Sequence, residues 1–151
     1  MKKGFTLIEV IIVTAVILVV SSIILRSYAR FNSAITIRSE VGRITSIIYK
    51  AKSDSMAGLG DTQHGVHFES DRAVAFRGDT YTVGLPDNEE HPLQENVSIS
   101  NISLSGGGNN IVFDRLTGTT LNAGSILVSI SGIGATSTEI GVSVGGVITT
   151  R

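Results

Sequence analysis

The chain of 151 residues contains no cysteine, carries only two prolines and has almost no net charge, with 12 basic against 13 acidic residues. Without cysteine there is no disulfide framework, thiol nucleophile or cysteine-based metal site, so stability has to come from packing. This does not exclude a home outside the cytoplasm. The balanced charge shows none of the basic excess of a strong nucleic-acid binder. No repeat of solenoid length and no Gly-x-Ser-x-Gly elbow occurs, and no serine has a convincing base beside it. Glycine, in contrast, is plentiful at 17 residues, which together with many Ser, Thr and Asn suits a turn-rich β domain. The length allows one globular domain plus an N-terminal segment. A helix over roughly the first 57 residues leaves under 100 for a head, enough for a small sandwich core.

The most informative segment is Gly4-Phe5-Thr6-Leu7-Ile8-Glu9-Val10. It places one carboxylate inside about 21 otherwise uncharged residues, Phe5 to Leu25, just after Lys2 and Lys3. A helix that long and apolar can span a bilayer, which takes roughly 20 residues. A lone ionisable group within it costs about 2.5–3.5 kcal/mol on insertion scales and calls for a partner. The span itself offers Glu9 none. A cleaved secretory signal would have an apolar region of about 7–15 residues and a small-residue cleavage site, whereas Ser27-Tyr28-Ala29-Arg30 is a poor site. A plain single-pass anchor fits the length but gives Glu9 no purpose. Lys2 and Lys3 favour an inside N-terminus, yet Arg26 and Arg30 flank the other end and nearly balance them.

Lys-Gly followed by Phe-Thr-Leu-Ile-Glu-Val resembles the processing site of type IV pilins and of the pseudopilins of type II secretion systems. The resemblance implies that a prepilin peptidase cuts after Gly4 and that the new N-terminus, Phe5, is N-methylated. Glu9 becomes the fifth residue of the mature chain, a position that family keeps acidic. Cutting there creates an α-ammonium at Phe5, one helical turn from Glu9. In a staggered bundle the Phe5 amine of one subunit can approach Glu9 of another, so that two charges costly alone neutralise each other. Loss of residues 1–4 removes two lysines and leaves 10 basic against 13 acidic residues.

After Leu25 the chain turns amphipathic. Ile37, Val41, Ile44, Ile48 and Ala51 step by four and three and draw one apolar stripe, with Arg38, Glu40, Arg43, Lys50 and Lys52 largely off it. The pattern predicts a helix from about Phe5 to Met56, stopped by Gly58 and Gly60, some 75–80 Å long. Gly42 is a candidate mild bend. Beyond Gly60 the period becomes alternating. Gly65–Glu69 and Arg72–Arg77 read as paired strands, and Thr80–Val83 as a third. Gly84 to Asn96, which holds both prolines, reads as a surface loop. Further strands are expected at Val97–Ser100, Ile102–Leu104, Ile111–Asp114, Ile126–Ile130, Glu139–Val144 and Val147–Thr150. Gly145-Gly146 is placed as a two-residue hairpin turn. Short strands at this spacing indicate an antiparallel sandwich or pair of sheets. The order of strands and glycines is similar to the GspH/FimT group of minor pilins and pseudopilins, whose heads are β-sandwiches packed on the helix.

Other candidate sites read as ordinary surface. His64 and His67 face opposite sides of a strand and make a poor chelate. Asp87, Asn88, Glu89 and Glu90 lack the spacing and turn glycine of a defined calcium loop. Gly106-Gly107-Gly108 precedes a strand and not a helix, so it is a flexible turn and not a phosphate cradle. FimT-like pilins bind DNA through a basic C-terminal motif, but here only Arg151 stands in that region, and Arg72, Arg77 and Arg115 are scattered. Nucleic acid is therefore not the expected partner.

The expected fold is α+β: a leader over 1–4, a transmembrane and assembly helix over 5–25, its amphipathic half over 26–57, and a β-rich head over 58–151. The resemblance implies a non-enzymatic filament subunit with no cofactor or metal. Its partners are other pilin or pseudopilin subunits, prepilin peptidase, an inner-membrane assembly platform and membrane lipids. It would sit in the inner membrane with its head outside the cytoplasm, then in a pilus or pseudopilus. A DNA-binding minor pilin and a membrane-anchored β domain that does not polymerise are the alternatives.

Overall fold

The computed structural model describes residues 4, 6–132 and 134–151. One helix, α1 (Leu7–Met56), leads through a 3₁₀ turn at Leu59–Asp61 into eight strands. These are β1 (His64–Phe68), β2 (Arg72–Arg77), β3 (Glu89–Pro92), β4 (Val97–Leu104), β5 (Asn110–Phe113), β6 (Gly124–Ile130), β7 (Thr136–Val142) and β8 (Ile148–Thr150). They form two antiparallel four-stranded sheets, ordered β3-β2-β1-β5 and β4-β6-β7-β8. The arrangement is α+β, as the change of period implies.

The first half of α1 is rich in Val and Ile, which are indifferent helix formers in water. A bilayer reverses that preference, because every backbone N–H and C=O must then be satisfied within the segment. The helix ends at Ala57, followed by Gly58 at φ 65°, a left-handed conformation that suits glycine. It runs unbroken through Gly42. The stripe Ile37, Val41, Ile44, Ile48 and Ala51 is buried as the spacing predicts, joined by Ile47, Ser33, Glu40 and Ser55. Ile44 and Ile48 are wholly buried, each worth about 1.5–3 kcal/mol of transfer from water. This face packs against β1, β2 and β5 of one sheet and β6 and β7 of the other. Helix and sheets thus share one core, with Phe68, Ile111 and Phe113 from the first sheet and Ile126, Val128 and Ile140 from the second.

Polar contacts fix how the helix seats. Ser55 Oγ accepts from the His64 N–H at 2.8 Å, and the Ser55 carbonyl accepts from the Leu116 N–H at 3.0 Å. The buried Glu40 carboxylate accepts from Arg43 Nη2 at 2.7 Å, and the same nitrogen donates to the Pro92 carbonyl. Lys50 pairs with Glu89 at the other end of β3.

The strands differ from the sequence-based expectation in four places. Thr80–Val83 is not a strand: Tyr81 leaves the ladder and stacks on His67, ring centroids 4.0 Å apart and planes 10° apart. The loop placed at Gly84–Asn96 contains β3, an edge strand on β2 with Ala73 opposite His91 and Ala75 opposite Glu89. Its Glu-Glu-His-Pro sequence hides it, since an edge strand tolerates charge and proline that a central strand excludes. Val97–Ser100 and Ile102–Leu104 are one strand with a bulge. Between Ser100 and Ser103, β4 spends one residue more than β6, and Asn101 has φ 47°. The extra residue shifts the inward phase, so that Val97 and Ile99 are buried before it and Leu104 after it. The β7–β8 turn is three residues long, not two. Gly146 N–H donates to the Ser143 carbonyl and Ser143 N–H to the Val147 carbonyl, and Gly146 takes the left-handed φ of 68°.

Candidate functional site

The site anticipated at Gly4, Phe5 and Glu9 lies at the foot of α1. Phe5, like Lys2 and Lys3, is outside the described residues. Thr6 is the N-cap, in extended conformation, and its Oγ1 accepts from the Glu9 N–H at 3.3 Å. Thr6-x-x-Glu9 has the spacing of a capping box, a signal legible in the sequence that the reading of Glu9 as a lone buried charge passed over. A carboxylate in the first turn also opposes the helix dipole favourably. Capping therefore accounts for an acid at this position in part. It uses the Glu9 backbone, however, and leaves the carboxylate with no ion pair or hydrogen bond among the described residues.

The surroundings of Glu9 are apolar and bare. From Leu7 to Leu25 every residue is exposed, and this part of α1 is long and apolar enough to cross a membrane. Its hydroxyls are quenched within the helix, Thr14 Oγ1 donating to the Ile11 carbonyl at 2.9 Å and Ser22 Oγ to the Val19 carbonyl at 2.8 Å. That lowers their cost in lipid or in a packed bundle. The surface exposed along this rod is far larger than a soluble monomer leaves uncovered. Gly4 has nothing within 4 Å of where a Cβ would stand. Among the described residues nothing in the packing requires glycine there, which leaves room for a requirement set by something that reads the segment from outside.

The other candidate residues are engaged structurally. His64 Nε2 contacts the Leu59 carbonyl at 2.9 Å, His67 Nδ1 contacts Asn110 Oδ1 at 2.5 Å, and His91 lies 3.5 Å from Glu89. The acids of the 87–90 segment pair individually, Asp87 with Arg77, Glu89 with Lys50 and Glu90 with Arg72. The bond from Lys50 holds the Glu89 carboxyl below its ordinary range, and the same bond holds the Lys50 ammonium above its own. Arg115 pairs with Asp61. Arg72, Arg77 and Arg115 are thus neutralised one by one, and Arg151 stands elsewhere, on the residue that follows β8.

Comparison with known families adds the deciding observation. Residues 1–25 match the prokaryotic N-terminal methylation motif. The foot of this helix carries a pilin-type signal. It supports a type IV pilin-like structural subunit, and it implies processing by prepilin peptidase and assembly with other pilin subunits. The match spans the apolar rod and stops where the amphipathic half begins, so the likeness of the head to the GspH/FimT group is not confirmed. Neither the curated proteins nor the solved structures contain a match to the chain.

Proposed function

We propose that this chain is a structural subunit, a minor pilin or pseudopilin, of a type IV pilus or a type II secretion pseudopilus. In this reading a peptidase cuts between Gly4 and Phe5, Phe5 is N-methylated, and the rod Phe5–Leu25 passes from the inner membrane into a helical bundle. The head lies outside the cytoplasm. The observation that carries the reading is Glu9: a carboxylate without a partner among the described residues, on the exposed apolar half of α1 and inside a methylation motif. Placed in a dry bundle without a partner it resists burial. Placed opposite the Phe5 amine of a neighbouring subunit it is neutralised. Misregistered packing is penalised, and the pair acts as a registry device more than as a source of raw stability.

N-terminal sequencing of the native protein tests the first half of this reading, with Phe5 expected as the first residue and Met1 as the contrary result. Replacing Glu9 with leucine tests the second half. Assembly at wild-type levels in that variant rejects the pairing.

A further inference from the structure

Where α1 leaves its apolar run and meets the head, the helix turns basic and aromatic. From Leu7 to Leu25 it is uncharged except for Glu9, and at 1.5 Å per residue that run measures about 28 Å, close to the hydrocarbon thickness of a bilayer. Arg26 follows at once. Arg30 stands one turn further, about 6 Å on, within the depth of a headgroup layer. The two lie on one helix face. Higher up, that face becomes the buried series Ser33, Ile37, Glu40 and Ile44, so both arginines sit beneath the head. Helical side chains lean toward the N-terminus, here the bilayer side. Tyr28 and Phe31 are exposed on the opposite face at the same level, where membrane proteins carry an aromatic belt.

Neither Arg26 nor Arg30 has a side-chain hydrogen bond or ion pair among the described residues. No Asp or Glu occurs between Glu9 and Glu40. The head comes down to this level without a spacer. Ala29 is the first residue after Leu7 that is half-buried. Gly134, between β6 and β7, approaches so closely that a Cβ there would stand 2.8 Å from Arg30 Cα. A recess of about 510 Å³ opens beside this contact, lined by Arg30, Ala34, Gly134, Ala135 and Thr136, with no carboxylate. Thr136 is exposed, and its hydroxyl makes no hydrogen bond among the described residues. Glu95 is the acid brought to this end of β6, because the Ser131 N–H donates to the Asn96 carbonyl at 2.9 Å. Among the described residues it makes no ion pair with Arg30.

Two free guanidinium forks beside an open hydroxyl suit a phosphate, which arginine grips bidentately. Their position selects which phosphate: they begin where a bilayer-length apolar run ends and lean back toward it. Basic residues on the translocated side of a span also run against the usual inside bias. With Lys2 and Lys3 cut away, Arg26 and Arg30 would be the basic residues that border the span. A partner local to that side gives them a purpose. We propose that Arg26 and Arg30, with the recess beside Arg30, bind the phosphate of an anionic phospholipid on the head side of the membrane. The bound headgroup seats the head on the bilayer surface before assembly. The proposal rests on the reading that the rod spans the membrane with the head outside the cytoplasm.

The test uses the full-length chain in dodecyl maltoside, a detergent without charge or phosphate. Dihexanoyl phosphatidylglycerol should move the Nε–H resonances of Arg26 and Arg30 saturably. Dihexanoyl phosphatidylcholine and inorganic phosphate should each need a concentration about tenfold higher or more for the same shift. Arg26→Gln should weaken the response at Arg30 about fivefold, and Arg30→Gln the response at Arg26 by as much. Neither variant should move thermal unfolding of the head, because both side chains are exposed and without partners among the described residues. No saturable shift, an equal response to phosphatidylcholine or an equal response to inorganic phosphate each overturns the proposal. So does a double glutamine variant that loses assembly while the wild-type resonances ignore lipid, since the arginines then serve a neighbouring subunit. The titration needs neither processing nor polymer. A silent titration with normal cutting before Phe5 sinks this inference alone, whereas an uncut N-terminus beside an intact lipid response sinks the filament reading and keeps the site.

Discussion

On the proposed reading Glu9 has two separable duties, which rest on different atoms. Its N–H is held by Thr6 Oγ1, while its carboxylate has no partner among the described residues. Glu9→Gln keeps the backbone cap and the side-chain size but removes the charge. Its expected outcome is an unchanged helix start by amide exchange, with an assembled fraction down about tenfold or more, a loss of roughly 1.4 kcal/mol per decade. Thr6→Ala should do the reverse, fraying the first turn at a cost of about 0.5–2 kcal/mol while assembly persists. Gly4 separates differently. Because its Cβ space is open, Gly4→Leu should fold as the wild type yet show an N-terminus that never begins at Phe5. A glycine required by packing behaves otherwise. At Gly65 an added Cβ would meet the Phe76 ring at 2.6 Å and the Ile111 carbonyl at 2.7 Å.

At the scale of the element, α1 is two helices in one. Its first half is covered by nothing among the described residues and is long and apolar enough to cross a membrane, whereas its second half depends on the sheets. Ile48→Ala removes a wholly buried side chain at the junction of helix and core, and thermal or chemical unfolding of the full chain should register a loss of about 2–5 kcal/mol. The same substitution at Ile17, which is exposed, should leave head stability unaltered. The apolar stripe Ile37–Ala51 was readable because a period of 3.6 survives any tertiary context. β3 was not, because its place is granted by β2 and by the charges of α1, not by its own pattern. The bulge at Asn101 was hidden for a related reason: two short alternating runs in opposite phase read as two strands until the partner β6 shows where the extra residue goes.

For the molecule as a whole, the seating of β3 on α1 adds a pH-dependent component outside the membrane-spanning segment. Glu89 is held below its ordinary 4.5, so its contribution is complete above that value and fades as pH falls through the lowered one. Lys50 is held above its ordinary 10.5, so its contribution is complete below that value and fades as pH rises through the raised one. The pair is solvent-exposed, and its coupling should be under about 1 kcal/mol. A double-mutant cycle of Lys50→Ala and Glu89→Ala on the full chain should find that coupling flat from pH 5 to pH 10 on this order-of-magnitude scale, declining on acidification. Coupling that grows on acidification would contradict the assignment.

The amino-acid order alone determined the rod, its single acid, the segment recognised at its foot and the change from helical to alternating period, because each is a local pattern that neighbouring residues enforce. Only the folded chain decided which acids and bases neutralise each other. Pairing depends on distance in space, and strands far apart in the sequence become neighbours only when the two sheets close on the helix.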